Sequence, residues 1–227
     1  MSVAFIQNPT NKKLKHREPW LAQENNYNII DISLCAGQMI IPGKDDKLFS
    51  EFFESLDFFN QQLSALFPFI TFAEKNYLHS TLLTIFNDSV LEFKKNKPDL
   101  NILCQRIIKD FNAYRPLTIY FKNVVLTPNG SVILLGESQE LFKFRDDIYN
   151  RYSIPKDLRK NIIHITLGRL LQNELIENMD DINSFLQMKG SISLPPVTIN
   201  YPKIILSRDS LCLDVDSNLT NEFNSAT

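Results

Sequence analysis

The chain predicts an α+β fold of two pseudo-symmetric lobes, each an antiparallel sheet backed by helices, with a central cleft. Three observations predict it. Segments of helical and strand period alternate in the order helix, strand, helix, hairpin, and that order occurs twice. The stretch 116–127 (Pro-Leu-Thr-Ile-Tyr-Phe-Lys-Asn-Val-Val-Leu-Thr) returns at a constant offset of 80 as 196–207 (Pro-Val-Thr-Ile-Asn-Tyr-Pro-Lys-Ile-Ile-Leu-Ser). The phrase His-x-Thr-Leu stands at 79–82 and again at 164–167, 85 residues further on. Two copies make a duplicated unit, not a solenoid.

Residues 1–26 are polar and without hydrophobic period, with a basic cluster at Lys12, Lys13, Lys15 and Arg17; they read as an N-terminal arm in which His16 is solvated. Asn28 to Ile41 reads as a strand ended by Pro42-Gly43. From Asp46 to Phe67, Leu48, Phe49, Phe52, Phe53, Leu56, Phe59, Leu63 and Leu66 keep helical spacing and define a core-facing stripe. Phe69 to Phe86 is extended and holds the first His phrase. Pro98-Asp99 marks a helix start, with Leu103, Ile107 and Phe111 on one face. A hairpin follows over 117–135, turning at Pro128-Asn129-Gly130.

In the second copy Ser138 caps a helix whose inner face is Leu141, Phe144, Ile148 and Tyr152, and Ile154-Pro155 breaks it. Asn161 to Leu170 is the second His strand. A helix from about Asn173 to Met188 turns Leu175, Met179, Ile182 and Phe185 or Leu186 inward, and a second hairpin spans 196–215 with its turn at Arg208-Asp209-Ser210. The expected organisation is one bilobal domain over 27–215, lobe 1 at about 46–135 and lobe 2 at about 138–215, followed by a flexible tail at 216–227.

Composition narrows the function. Hydrophobic residues at 44% and charged residues at 22% describe an ordinary globular chain. No stretch approaches the roughly 18 uninterrupted apolar residues of a membrane span, and the N-terminus lacks the charged-then-apolar order of a secretory signal. Cys35, Cys104 and Cys212 are odd in number, far apart and without metal-ligand spacing, which fits reduced thiols in the cytoplasm. A net charge of −2, with no basic stripe, argues against long duplex nucleic acid and for a small nucleotide or an RNA terminus, bound by a monomer.

Strand parity places chemistry on one face. Ile163, Ile165 and Leu167 point one way, and His164, Thr166 and Gly168 the other. In the first copy Tyr77, His79 and Thr81 share a face, which strict alternation continues into the apolar Leu83 and Ile85. Two imidazoles can remove one proton and deliver another at neutral pH, and two threonine hydroxyls can donate to phosphate oxygens as charge builds on them. That set suits phosphodiester hydrolysis with no metal or cofactor, and no cluster at metal-ligand spacing stands in the sequence. Four further residues are candidates for holding substrate. Tyr77 shares the His79 face, and Arg169 at the end of its strand either meets a phosphate or is solvated. Phe121 and Tyr201 hold equivalent places in the repeat, where each ring either stacks on a base or packs in the core. The alternative to an enzyme is a nucleotide- or RNA-end-binding protein with little turnover.

The paired His-x-Thr phrases in a duplicated frame resemble the 2H phosphoesterase superfamily, which includes 2′,3′-cyclic phosphodiesterases and 2′-5′ RNA ligase-like proteins. The resemblance covers roughly residues 46 to 215. His-Ile-Thr-Leu-Gly-Arg at 164–169 is similar to the second motif of the ligase-like branch, whereas Thr84 stands in the first copy where Arg169 stands in the second. The resemblance implies that His79 and His164 act as acid and base in an order set by the direction of substrate binding, with Thr81 and Thr166 on the phosphate.

Overall fold

Apolar residues at helical spacing decide which side of each helix is buried. A computed structural model describes residues 31–37, 46–73, 78–87, 100–170 and 172–207. Its elements are β1 (Asp31–Gly37), α1 (Asp46–Leu66), β2 (Thr71–Phe72), β3 (His79–Asn87), α2 (Leu100–Phe111), β4 (Leu117–Leu126), β5 (Ser131–Glu137), α3 (Gln139–Arg151), a 3-10 turn (Lys156–Leu158), β6 (Ile163–Arg169), α4 (Gln172–Lys189), β7 (Val197–Ile199) and β8 (Lys203–Ser207). The arm at 1–26, Tyr77, the helix start at Pro98-Asp99, the turn and strand expected beyond 207 and the tail at 216–227 lie outside the described residues. Phe52, Phe53, Leu56, Phe59 and Leu63 are buried along α1, and the stripe ends there, since Leu66 in the last turn is exposed. Ile107 and Phe111 are buried on α2, beside a Cys104 thiol that burial pushes up to about 12. Ser138 caps α3 as expected, accepting from the Leu141 N–H at 3.2 Å. Among the described residues no helix is long and apolar enough to cross a membrane.

The fold is α+β. All strands pair antiparallel in one sheet, in the order β7-β4-β5-β6-β3-β1-β8, with β2 added beside β6. β7 and β8 sit at opposite edges although only Asn200, Tyr201 and Pro202 separate them in the chain. Those few residues reach about 14 Å at most, so the two edges approach each other and the sheet curls.

Two expectations change here. The hairpin of β4 and β5 forms, but it pairs with β6, the second His strand, and not with β3 as a lobe made of residues 46–135 requires. The first strand of the second hairpin, expected as one run, is instead two, β7 and β8, while its turn and second strand lie outside the described residues. Pro202, which has no N–H to give a ladder, sits in the break, and the pieces go to β4 and β1.

The repeats do meet, strand against strand. β4 pairs with β7 so that Thr118 is opposite Thr198, its own counterpart at offset 80, with their hydroxyls 3.4 Å apart. β3 pairs with β6 so that Ser80 is opposite Ile165, each the second residue of its His phrase.

Both His strands also carry an extra residue at the same place. In β6, Thr166 is opposite Ile133 and Gly168 opposite Val132, which leaves Leu167 over. In β3, Thr81 is opposite Cys35 and Leu83 opposite Leu34, which leaves Leu82 over. A one-residue bulge reverses the alternation beyond it. Leu83 is therefore turned to the opposite face, and Ile85 is the extra residue of a second irregularity, so the polar face does not run on through them. Thr84 and Arg169 return to the faces of Thr81 and Thr166.

The other face of the sheet is core. Ala36, Ser80, Ile119, Phe121, Ile165 and Ile199 meet Phe52 and Phe53 of α1 around a small cavity. Gly168 is small because β2 crosses it: a Cβ there would lie 2.7 Å from the Thr71 carbonyl oxygen. Gly168→Ala is expected to lower stability by about 1–3 kcal/mol by overpacking against backbone. A urea titration checks this, and an unchanged midpoint would mean that β2 does not press on β6.

Candidate active site

The register of β3 and β6 decides where the chemistry lies. With Ser80 opposite Ile165 in an antiparallel pair, one step either way sets His79 beside Thr166 and Thr81 beside His164. Opposite residues share a face and their Cβ atoms lie about 5 Å apart, with diagonal neighbours about 7 Å apart. The four side chains thus form a cross-strand quartet with the two histidines on one diagonal and the two threonines on the other. All four are half-buried, while Ser80 and Ile165 between them are buried on the other face.

Helix α3 holds this crease from behind. Arg145, 1% exposed, donates from Nε to the Leu82 carbonyl at 2.6 Å and from Nη2 to the Thr81 carbonyl at 3.1 Å. Its Nη1 donates to the carbonyls of Ile162 at 2.9 Å and Lys160 at 3.3 Å. One guanidinium therefore joins the backbone at the first His phrase to the backbone leading into the second, where the strands share little ladder. Tyr149, one turn on, accepts from the Lys160 N–H at 3.0 Å and donates to the Leu158 carbonyl at 3.3 Å. No acidic side chain among the described residues pairs with Arg145, and burial draws it down to about 10, which still leaves it a cation at neutral pH. Sequence reading missed it. The available signal was its place on the α3 stripe, four residues after Leu141 and three before Ile148.

That charge bears on His164. Burial first, then the positive charges of Lys160, His79 and Arg145, pull its imidazole down to about 4, so the ring is neutral at physiological pH. Thr81 accepts from the Cys35 thiol at 3.9 Å, leaving its own proton to donate elsewhere.

The remaining candidates divide. The bulge at Leu167 puts Arg169, half-buried and opposite Ser131, on the face of His164 and Thr166, about 13 Å along the strand from His164. Phe121 does not line the site. It is 3% exposed and packs on Phe52 with ring centroids 5.5 Å apart, because it alternates with Ile119 and Leu117 on the core face. Tyr201 is exposed in the link between β7 and β8, with the Arg115 guanidinium over its ring at 5.4 Å. Equivalence in the repeat therefore does not carry equivalence of environment.

No family model matches the chain, and no curated protein matches it. Among solved structures it is similar to TT0787 of Thermus thermophilus, at 13% identity and a TM-score of 0.42 over 78% of this chain and 88% of that one. It is also similar to ATU0111 of Agrobacterium tumefaciens, a conserved protein of unknown function, at 15% identity and a TM-score of 0.46 over 86% and 88% of the two chains.

Two outcomes follow from the buried cation and the neutral ring. Arg145→Met should cost about 2–4 kcal/mol, because backbone carbonyls lose their donor in a dry place; a variant as stable as wild type in urea would contradict the clamp. His164 ionises near 6.5 in an unfolded chain and at about 4 here, so its stabilising contribution is complete above pH 6.5 and is lost as pH falls toward 4. The loss is up to about 3 kcal/mol. His164→Gln should flatten that part of the stability–pH curve, and an identical acid limb in variant and wild type would contradict the shift.

Proposed function

We propose that the protein is a metal-independent phosphodiesterase of the 2H type. Its substrate would be a 2′,3′-cyclic phosphate, a 2′-5′ linkage or a related phosphodiester in a small nucleotide or RNA end. The observation that carries this reading is the quartet of His79, Thr81, His164 and Thr166 on one face of two paired strands. The pairing of Ser80 with Ile165 and of Thr118 with Thr198 supports two pseudo-symmetric halves related by an axis through those pairs.

In this reading His164, neutral at physiological pH, takes the proton from the attacking water. As the new P–O bond forms and the bond to the ribose oxygen breaks, His79 delivers a proton to that leaving oxygen. Thr81 and Thr166 donate to the non-bridging oxygens, whose charge grows in the transition state. Burial holds the His164 value down most, and the part added by Lys160, His79 and Arg145 is compensated once an anion is bound, which makes the ring a better base with substrate present than without it.

The test is turnover of 2′,3′-cyclic nucleotides and 2′-5′ oligoadenylates in the presence of EDTA. His79→Ala and His164→Ala are each expected to lower kcat by about 10²- to 10⁴-fold, with kcat/KM of the wild type bell-shaped in pH. Near-native turnover in either variant, or a profile flat from about pH 5 to 9, would exclude paired imidazoles. Binding without turnover would point to a nucleotide-binding protein instead.

A further inference from the structure

The row of residues through Thr81 and His164 continues beyond the quartet. Lys203 on β8 is opposite Cys35 on β1, and Cys35 is opposite Thr81 on β3. Residues directly opposite share a face, so Lys203 stands on the side of the quartet, two strand spacings or about 9.6 Å from Thr81. The contact between the Cys35 thiol and the Thr81 hydroxyl, at 3.9 Å, agrees with that facing.

Lys203 is an unusual lysine for an outermost strand among those described. It is half-buried, burial draws its amine below the ordinary lysine value, and no acidic side chain among the described residues contributes to that shift. Withdrawing an ammonium from water without a counter-ion is unfavourable, and a bound anion removes the penalty. The residue that corresponds to Lys203 at offset 80 is Asn123, which is opposite Leu135, itself opposite His164. One row thus runs from a cation on the β8 flank, through the quartet, to an exposed neutral amide on the β4 flank. The halves that supply near-equivalent chemistry at the centre differ in charge at its margins.

We infer that Lys203 is a substrate-binding residue that takes a second phosphate, one nucleoside away from the bond that is cut, and so fixes which way round the substrate lies. This rests on the phosphodiesterase reading of the quartet. It narrows the substrate class to nucleotides bearing a further phosphate, either terminal or in the next linkage, over nucleoside cyclic monophosphates. A side chain of lysine length leaning over Cys35 spans part of the interval to Thr81, and a ribose between two phosphates spans the rest.

The experiment is equilibrium binding of adenosine 2′-monophosphate and adenosine 2′,5′-bisphosphate to the whole chain by titration calorimetry. Turnover of 2′,3′-cyclic AMP is followed in parallel. Wild type should bind the bisphosphate about 10-fold more tightly than the monophosphate, the worth of one charge-assisted contact. In Lys203→Met that ratio should fall to about 1, and in Lys203→Arg it should be largely kept. Lys203→Gln provides the same reading should the methionine variant fail to fold, as judged by its melting curve. Turnover of the cyclic nucleotide with no affinity gained from the 5′-phosphate, or a ratio unchanged in the variants, overturns the role of Lys203 alone. No turnover and no binding of either nucleotide overturns both this role and the reading beneath it.

Discussion

Everything at the site depends on the register of two strands that touch at one pair, Ser80 and Ile165. Beyond that pair the strands part, and β6 is taken up by β2 while β3 stays with β1. A slip of one residue between them would send one imidazole and one hydroxyl into the core and bring Ser80 or Ile165 to the polar side. So short a ladder specifies register weakly by itself. The buried guanidinium of Arg145 supplies what the ladder lacks, because two of its four carbonyl acceptors lie on β3 and two in the segment that leads into β6, each at a fixed place along the chain. An apolar residue of the same bulk would fill the space without counting residues.

The same cation adds to the electrostatic character of the crease, after burial, Lys160 and His79. Lys160, His79 and Arg145 all act on His164, and among the described residues no carboxylate does. The overall charge of −2 gives no hint of this, since it sums over the whole chain without regard to place. Local potential follows from which charges are dry and near, not from the total. A crease short of negative charge, lined by hydroxyl donors, has the complementarity an anionic ligand requires.

Much of this could be read from the chain, for definite reasons. Period-two alternation placed His164 and Thr166 opposite Ile163 and Ile165, and burial follows that division. The same alternation contained the answer for Phe121, which shares the parity of Leu117 and Ile119 and leaves Tyr120 to the other side; Tyr120 is 53% exposed. The bulge at Leu82 was not legible, because no glycine or proline marks it, whereas Gly168 beside Leu167 was a signal for the second that the sequence reading did not use. Strand partnership was not legible either. A repeat shows which residues correspond, but any hairpin can add to either free edge, and here the first joins the second His strand. Arg145 escaped notice because an arginine in an amphipathic helix is read as reaching for solvent, and only the tertiary fold offers it carbonyls inside.

The position of β1 has a consequence for how the molecule is made. It lies between β3 and β8, with Ile32 paired on one side to Phe86 and on the other to Leu206. Until roughly 170 further residues have been synthesised, β1 can satisfy only one of its edges, and its bare backbone groups are a template for any passing strand. During that interval a nascent chain of this topology carries a sticky flank that the finished molecule conceals, and its yield in the cell is set by how long that flank stays uncovered.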